Sequence, residues 1–190
     1  MRLTTKTLAF GAMLIAISVI LIWAVRFPIF PAAAFLEYDF ADIPIILGTF
    51  VYGPVMGLIL TVAASVIQGL TVSAKSGLYG ILMHIIATGV FVIVAGSIYS
   101  AGKSKKRAVL ALGCALVAEI AAMVIANLFI TPLFMGVPRA AVAGMLLPVI
   151  IPFNAIKFGA NSIILFFIYK PISKWVKKEV SRKKERALDN

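Results

Sequence analysis

The chain alternates long apolar runs with short polar breaks. The runs are Leu8–Val25, Ile43–Val72, Leu78–Ala101, Ala108–Ile130 and Met145–Tyr169. A helix of about 20 apolar residues crosses a hydrocarbon core of about 30 Å. Ile43–Val72 is too long for one crossing, since 30 residues rise about 45 Å as a helix. It contains the string YGPVMG, and Gly53-Pro54 is a natural break between helices. The pattern therefore predicts helices over about 5–25, 44–52, 54–72, 78–101, 107–131 and 147–178, then a basic tail at 179–190. The second helix rises only about 14 Å, which is tolerated where protein or a water-filled cavity covers its ends. The expected fold is an all-α integral membrane protein. One domain, residues 1–190, forms a six-transmembrane-helix bundle with a short second helix.

Composition supports that class. Of the residues, 62% are hydrophobic and 13% charged, and the mean hydropathy is +1.07, whereas soluble domains carry about twice that share of charge. The net charge of +11 is clustered, with 8 of the 18 basic residues in Lys170–Arg186 and 4 in Lys103–Arg107. Basic clusters that directly follow apolar runs mark cytoplasmic segments beside anionic lipid headgroups, not a nucleic-acid groove. With both termini cytoplasmic, six spans put both clusters inside and leave Arg26, Lys75 and Arg139 outside. Five spans would turn one cluster outward. Arg2 and Lys6, the first run and Ala32-Ala33-Ala34 imitate a signal peptide. The run is longer than a signal core, so a retained first helix is expected. The lone Cys114 excludes a disulfide framework and is expected to be a small packing residue.

Within this topology the polar residues of the spans fall at one level. Gln68, His84, Asn127, Asn154 and Lys157 all lie within about 14 Å of the outer ends of their helices. The inner half is almost purely apolar. Polar groups from four helices at one depth imply a pocket open to the outside. Asn154, Lys157 and Asn161 are spaced i, i+3, i+7 and share a face. Lys157 has three readings: facing a ligand, snorkelling outward, or pairing with Glu119, the only acidic residue inside a span. His84, Gln68 and Asn127 serve either as pocket lining or as hydrogen bonds within the bundle.

The outer segment Phe35–Pro44, FLEYDFADIP, interleaves acidic and aromatic residues. It reads as a lid or side wall of the pocket, with Asp42 capping the helix that starts near Pro44 and Glu37 and Tyr38 open to a binding role. On the first helix Ala9, Ala12 and Ala16 form a small-residue stripe suited to a close helix contact, internal or with a partner.

Energy-coupling and catalytic motifs are missing. There is no G-x-x-x-x-G-K-[ST], G-x-S-x-G, H-E-x-x-H or paired-cysteine motif, and one histidine supplies little acid–base chemistry. No inverted repeat marks a self-sufficient carrier. A binding module that takes its energy from partners is the first expectation, neither an enzyme nor a holder of metal or cofactor. A proton-coupled carrier using Glu119, His84 and Lys157, and a membrane enzyme acting on an isoprenoid or lipid, remain alternatives.

The strings LEYDFADIPIILGTFVYGPVMGL and PFNAIKFGANSI, with the Ala-x-x-x-Ala of the first helix, resemble the substrate-binding S-components of energy-coupling factor (ECF) vitamin importers, nearest to the riboflavin-specific type. The resemblance extends over essentially the whole chain, and its most specific piece runs from Tyr38 to Gly57. It implies a multi-pass protein of a bacterial-type cell membrane that receives riboflavin from outside. It further implies docking on a transmembrane coupling protein driven by two cytoplasmic ATPases. The residues matching the family's ligand contacts are Asn127, Asn154, Lys157, Glu37, Leu36, Tyr38 and Asp39, with Gln68 a looser match. Ala12 and Ala16 match its docking face. The ligand chemistry is compatible: isoalloxazine is a flat apolar body with an amide-rich edge, which asparagines can both donate to and accept from, while a lysine only donates. An uncharged ligand needs no arginine cluster, and a cation such as thiamin would suit Lys157 poorly. A component for another vitamin is the other reading within this family.

Overall fold

The structure is a computed structural model that describes residues 4–186, with side chains through residue 172 except Ala32. Helix α1 covers Thr5–Ala24, α2 Asp42–Tyr52, α3 Pro54–Leu70, α4 Gly77–Ser100 and α5 Lys105–Met135. A short α6, Arg139–Met145, continues through a π turn at Leu146–Ile150 into α7, Ile151–Arg186. Among the described residues, four helical stretches are long and apolar enough to cross a membrane: Thr5–Ala24, Ala74–Ser100, Lys105–Met135 and Arg139–Ile172. Asp42–Tyr52 and Pro54–Leu70 are shorter apolar helices.

The helix ends follow local chemistry. Thr4 caps α1 by accepting from Thr7 N, and Ser104 caps α5 by accepting from Arg107 N. Gly53 separates α2 from α3 at φ 96°, a conformation open to glycine, and Pro54 then occupies the first position of α3, where no amide hydrogen is required. Two boundaries differ from expectation. Helix α5 runs past Pro132 to Met135, because a proline so near the end removes a single ladder bond, and Gly136 terminates it at φ 66°. The last span begins in α6, ahead of position 147. The basic side chains beyond residue 172, with the tail at 179–190, fall outside the described side chains.

The short helix α2 is the centre of the bundle. It touches α1, α3, α4 and α7, and every residue from Asp42 to Phe50 is buried. Its lower end packs Phe50 against Tyr99 of α4, stacked with centroids 4.2 Å apart, and edge-on to Tyr169 of α7. Helix α1 turns Gly11, Leu14, Ser18 and Ile22 inward. Its Ala9, Ala12 and Ala16 are exposed, so the small-residue stripe lies on the outward side of the helix. Cys114 is exposed as well and is not the core packing residue expected, because the inward face of α5 at that level is taken by Ala111 and Ala115.

The fold adds an element absent from the all-α expectation. Arg26–Pro28 (β1) and Glu37–Asp39 (β2) pair antiparallel, with Arg26 opposite Asp39 and Pro28 opposite Glu37. The ribbon follows α1 and leads into α2, at the end of the bundle opposite the basic cluster Lys103–Arg107.

Candidate functional site

A cavity with about 1000 Å³ of empty space, its open mouth included, lies at that end of the bundle. It is bounded by the C-terminal parts of α1, α3 and α5, the N-terminal parts of α4 and α7, and the β ribbon. Apolar walls come from Met123, Ile130, Phe134, Phe153 and Phe158. The surface is mainly apolar, and polar groups converge on it from separate elements, the usual composition of a small-molecule site.

Leu36, Glu37, Asp39, Gln68, His84, Asn127, Asn154 and Lys157 all line this cavity. Tyr38 does not. Strand residues alternate sides, and β2 turns Tyr38 away from the cavity, where its hydroxyl donates to Asn161 Oδ1 at 3.1 Å. Asn161 Nδ2 donates to the Asp39 carbonyl at 3.2 Å. The i, i+3, i+7 face of α7 thus has two jobs: Asn154 faces the cavity, Asn161 braces the ribbon, and Lys157 between them does both.

Lys157 is buried, and neither snorkelling nor pairing with Glu119 describes it. Its Nζ donates to Asp39 Oδ2 at 2.9 Å and lies 3.6 Å from Asp42 Oδ2. A buried ammonium needs such partners, because desolvation of an isolated charge is costly. Only the Asp39 contact is a hydrogen bond, so the ammonium keeps N–H groups for the cavity beside its ion pair with Asp42.

Asp42 is not the helix cap. Ala41 occupies the cap position, and Asp39 Oδ1 accepts from Ala41 N at 2.9 Å, which satisfies the turn before α2. The Asp42 carboxylate instead points across the α2–α4 interface. Its Oδ1 accepts from Thr88 Oγ1 at 2.6 Å and lies 3.1 Å from His84 Nε2.

The remaining polar residues are partly committed. Asn154 Nδ2 donates to the Ile150 carbonyl and Asn127 Nδ2 to the Met123 carbonyl, each at 2.8 Å, which leaves a second amide hydrogen on both. Gln68 Nε2 donates to Ser18 Oγ at 3.2 Å, and Ser18 donates to the Ala41 carbonyl at 2.8 Å, tying α3, α1 and the start of α2 together. Both roles weighed for Gln68 and His84, lining and bundle hydrogen bond, coexist in one side chain.

Arg26 and Ser65 are additional lining groups. Arg26 ion-pairs with Glu37 across the ribbon and donates from Nη1 to the Val72 carbonyl at 2.7 Å, clamping the ribbon to the α3–α4 turn. Ser65 stands three residues before Gln68 on α3, and that i, i+3 spacing is the signal that would have placed it on the same face. Arg26 carried no such signal, since its clamp depends on ribbon pairing.

A central short helix, a polar-edged apolar cavity at one end and a ribbon beside it define a membrane-embedded small-molecule-binding bundle. The family model for the ECF transporter, substrate-specific component, matches residues 6–169, and the chain belongs to that family. Riboflavin transporter RibU of Staphylococcus aureus (strain TCH60) is 30% identical over 179 residues, covering 91% of this chain and 93% of that protein. Riboflavin transporter RibU of Streptococcus thermophilus (strain ATCC BAA-250 / LMG 18311) is 26% identical, with 88% and 83% covered. A solved S component of a bacterial ECF transporter superposes with a TM-score of 0.77 at 30% identity, covering 90% of this chain and 98% of that one. These relatives are transport components and not enzymes.

Proposed function

We propose that the chain binds riboflavin at the extracellular side of a bacterial cell membrane and hands it inward as the specificity subunit of an ATP-driven ECF importer. The observation that carries this reading is the cavity itself, which gathers amides from α3, α5 and α7 and one ammonium around aromatic and aliphatic walls. Phe153, Phe158 and Met123 supply apolar surface suited to a flat, uncharged ring system. Asn127 and Asn154 are suited to its amide edge, and the free Lys157 N–H to a carbonyl or ring-nitrogen acceptor. The ribbon residues Leu36, Glu37 and Asp39 close the side, with Tyr38 holding the ribbon from behind.

The six-span topology with both termini inside follows from the positive-inside tendency, and it makes the cavity external. The exposed Ala12 and Ala16 on α1 offer the close-packing face for a transmembrane coupling protein, itself driven by two ATPases. The names of the relatives support riboflavin as the ligand.

Purification in detergent tests the reading. The expected product is yellow with near-equimolar flavin, or a stripped protein that quenches added riboflavin fluorescence. A colourless protein that produces no quenching overturns it. Riboflavin uptake by the chain alone in liposomes under a proton gradient would favour the carrier alternative.

A further inference from the structure

Three hydrogen bonds fasten strand β2 to α7, and two of them pass through one side chain. Lys157 Nζ donates to Asp39 Oδ2 at 2.9 Å, and Asn161 Nδ2 donates to the Asp39 carbonyl at 3.2 Å. The Tyr38 hydroxyl donates to Asn161 Oδ1 at 3.1 Å. The neighbours of Asn161 fix which way its amide points. A backbone carbonyl only accepts, so the atom facing Asp39 is the NH2 group, and the oxygen is left for Tyr38. An amide oxygen carries no hydrogen, so the Tyr38 hydroxyl supplies it.

Neighbouring strand residues point to opposite sides. The forked amide therefore grips β2 twice, through the backbone of a residue that faces the cavity and through the side chain of one that faces away. Asp39 lines the cavity, whereas Tyr38 and Asn161 do not. Asn161 is fully buried. Tyr38 is buried with its ring against Phe27 and Phe40, at centroid distances of 5.5 and 5.2 Å. That packing already restricts the ring, so holding its hydroxyl on Asn161 costs little further entropy.

The two fasteners on α7 differ in what else they face. Lys157 lines the cavity, and its remaining N–H groups are open to a ligand, so its hold on Asp39 is shared with whatever occupies the site. Both polar atoms of Asn161 are committed to the ribbon. We infer that Asn161 is a positioning residue for the ligand site. Without touching ligand, it keeps Asp39, and with it Leu36 and Glu37, against the cavity when Lys157 turns to the ligand. The inference rests on reading the cavity as the riboflavin site. A wall that stays seated slows escape, so the effect of Asn161 belongs to dissociation and not to association.

Asn161→Leu nearly keeps the size of the side chain and removes both bonds. In full-length protein in detergent, the riboflavin dissociation rate is expected to rise about tenfold, the worth of one to two hydrogen bonds, with the association rate changed less than about twofold. Tyr38→Phe deletes one bond and keeps the ring; it is expected to raise dissociation about threefold and serves if Asn161→Leu does not fold. Added to Asn161→Leu it should change nothing more, because its bond ends on the same amide. Hydrogen exchange of ligand-free protein reads the ribbon without riboflavin: amides of residues 35–41 should exchange faster in either variant, with those of α4 unchanged. Unchanged exchange at 35–41, faster exchange throughout the bundle, or wild-type dissociation rates in both variants overturns the positioning role. Wild-type protein that binds no riboflavin refutes the ligand reading, and the exchange pattern then still decides whether Asn161 seats the ribbon.

Discussion

Lys157 Nζ on α7 donates to Asp39 Oδ2 on the ribbon at 2.9 Å, joining residues 118 apart in the chain. The same ammonium lies 3.6 Å from Asp42 at the start of α2. One side chain thus holds the ribbon, the central helix and the last span together at the cavity floor.

This bond separates two variants that are equivalent as ligand contacts. Lys157→Met leaves Asp39 and Asp42 buried without their counterion, so it should cost about 3 kcal/mol of stability as well as ligand affinity. Asn154→Ala removes an amide whose protein bond stays within its own helix turn, so affinity should fall by about 1 kcal/mol with the melting temperature nearly unchanged. Thermal unfolding of ligand-free protein in detergent, alongside riboflavin titration, checks both. Equal melting temperatures for the two variants would contradict the counterion role.

Ala12 and Ala16 are exposed on α1, so a tryptophan at either position can be accommodated on the outward side of the helix. Riboflavin binding by the purified protein should be unchanged. Uptake of labelled riboflavin by cells that also express the coupling module should be lost, because a bulky ring prevents close helix approach. Normal uptake would remove this face from docking.

Arg26 holds the ribbon through Glu37 and the Val72 carbonyl. The Arg26–Glu37 pair is part-exposed, so Arg26→Gln should change global stability by under about 1 kcal/mol. It should instead speed ligand release and protease cutting near residues 26–39. Stopped-flow dissociation and limited proteolysis read those effects, and unchanged rates would show that the ribbon does not retain ligand.

Gly53 sits at φ 96° and ψ 177°, a region essentially closed to residues with a Cβ. Gly53→Ala should lower stability by about 1–3 kcal/mol. A melting temperature equal to wild type would mean the α2–α3 corner relaxes without cost.

The sequence alone determined the apolar runs, the Gly53-Pro54 corner and the common depth of Gln68, His84, Asn127, Asn154 and Lys157. Each of these is a local property: run length against membrane thickness, a residue's own φ preference, or a count of helical rises. Asn154, Lys157 and Asn161 could be put on one face for the same reason. Their division of labour could not, because it depends on how α7 is rotated against the ribbon. The pairing of Arg26–Pro28 with Glu37–Asp39 was hidden for a related reason, since three-residue strands carry too little alternation to stand out. Asp42 shows the limit most clearly. Its position before Pro44 reads as a cap, yet its carboxylate turns to His84 and Thr88, 42 and 46 residues away. Only the tertiary structure, by crossing α2 against α4 and α7 and excluding water between them, decided which charges had to meet.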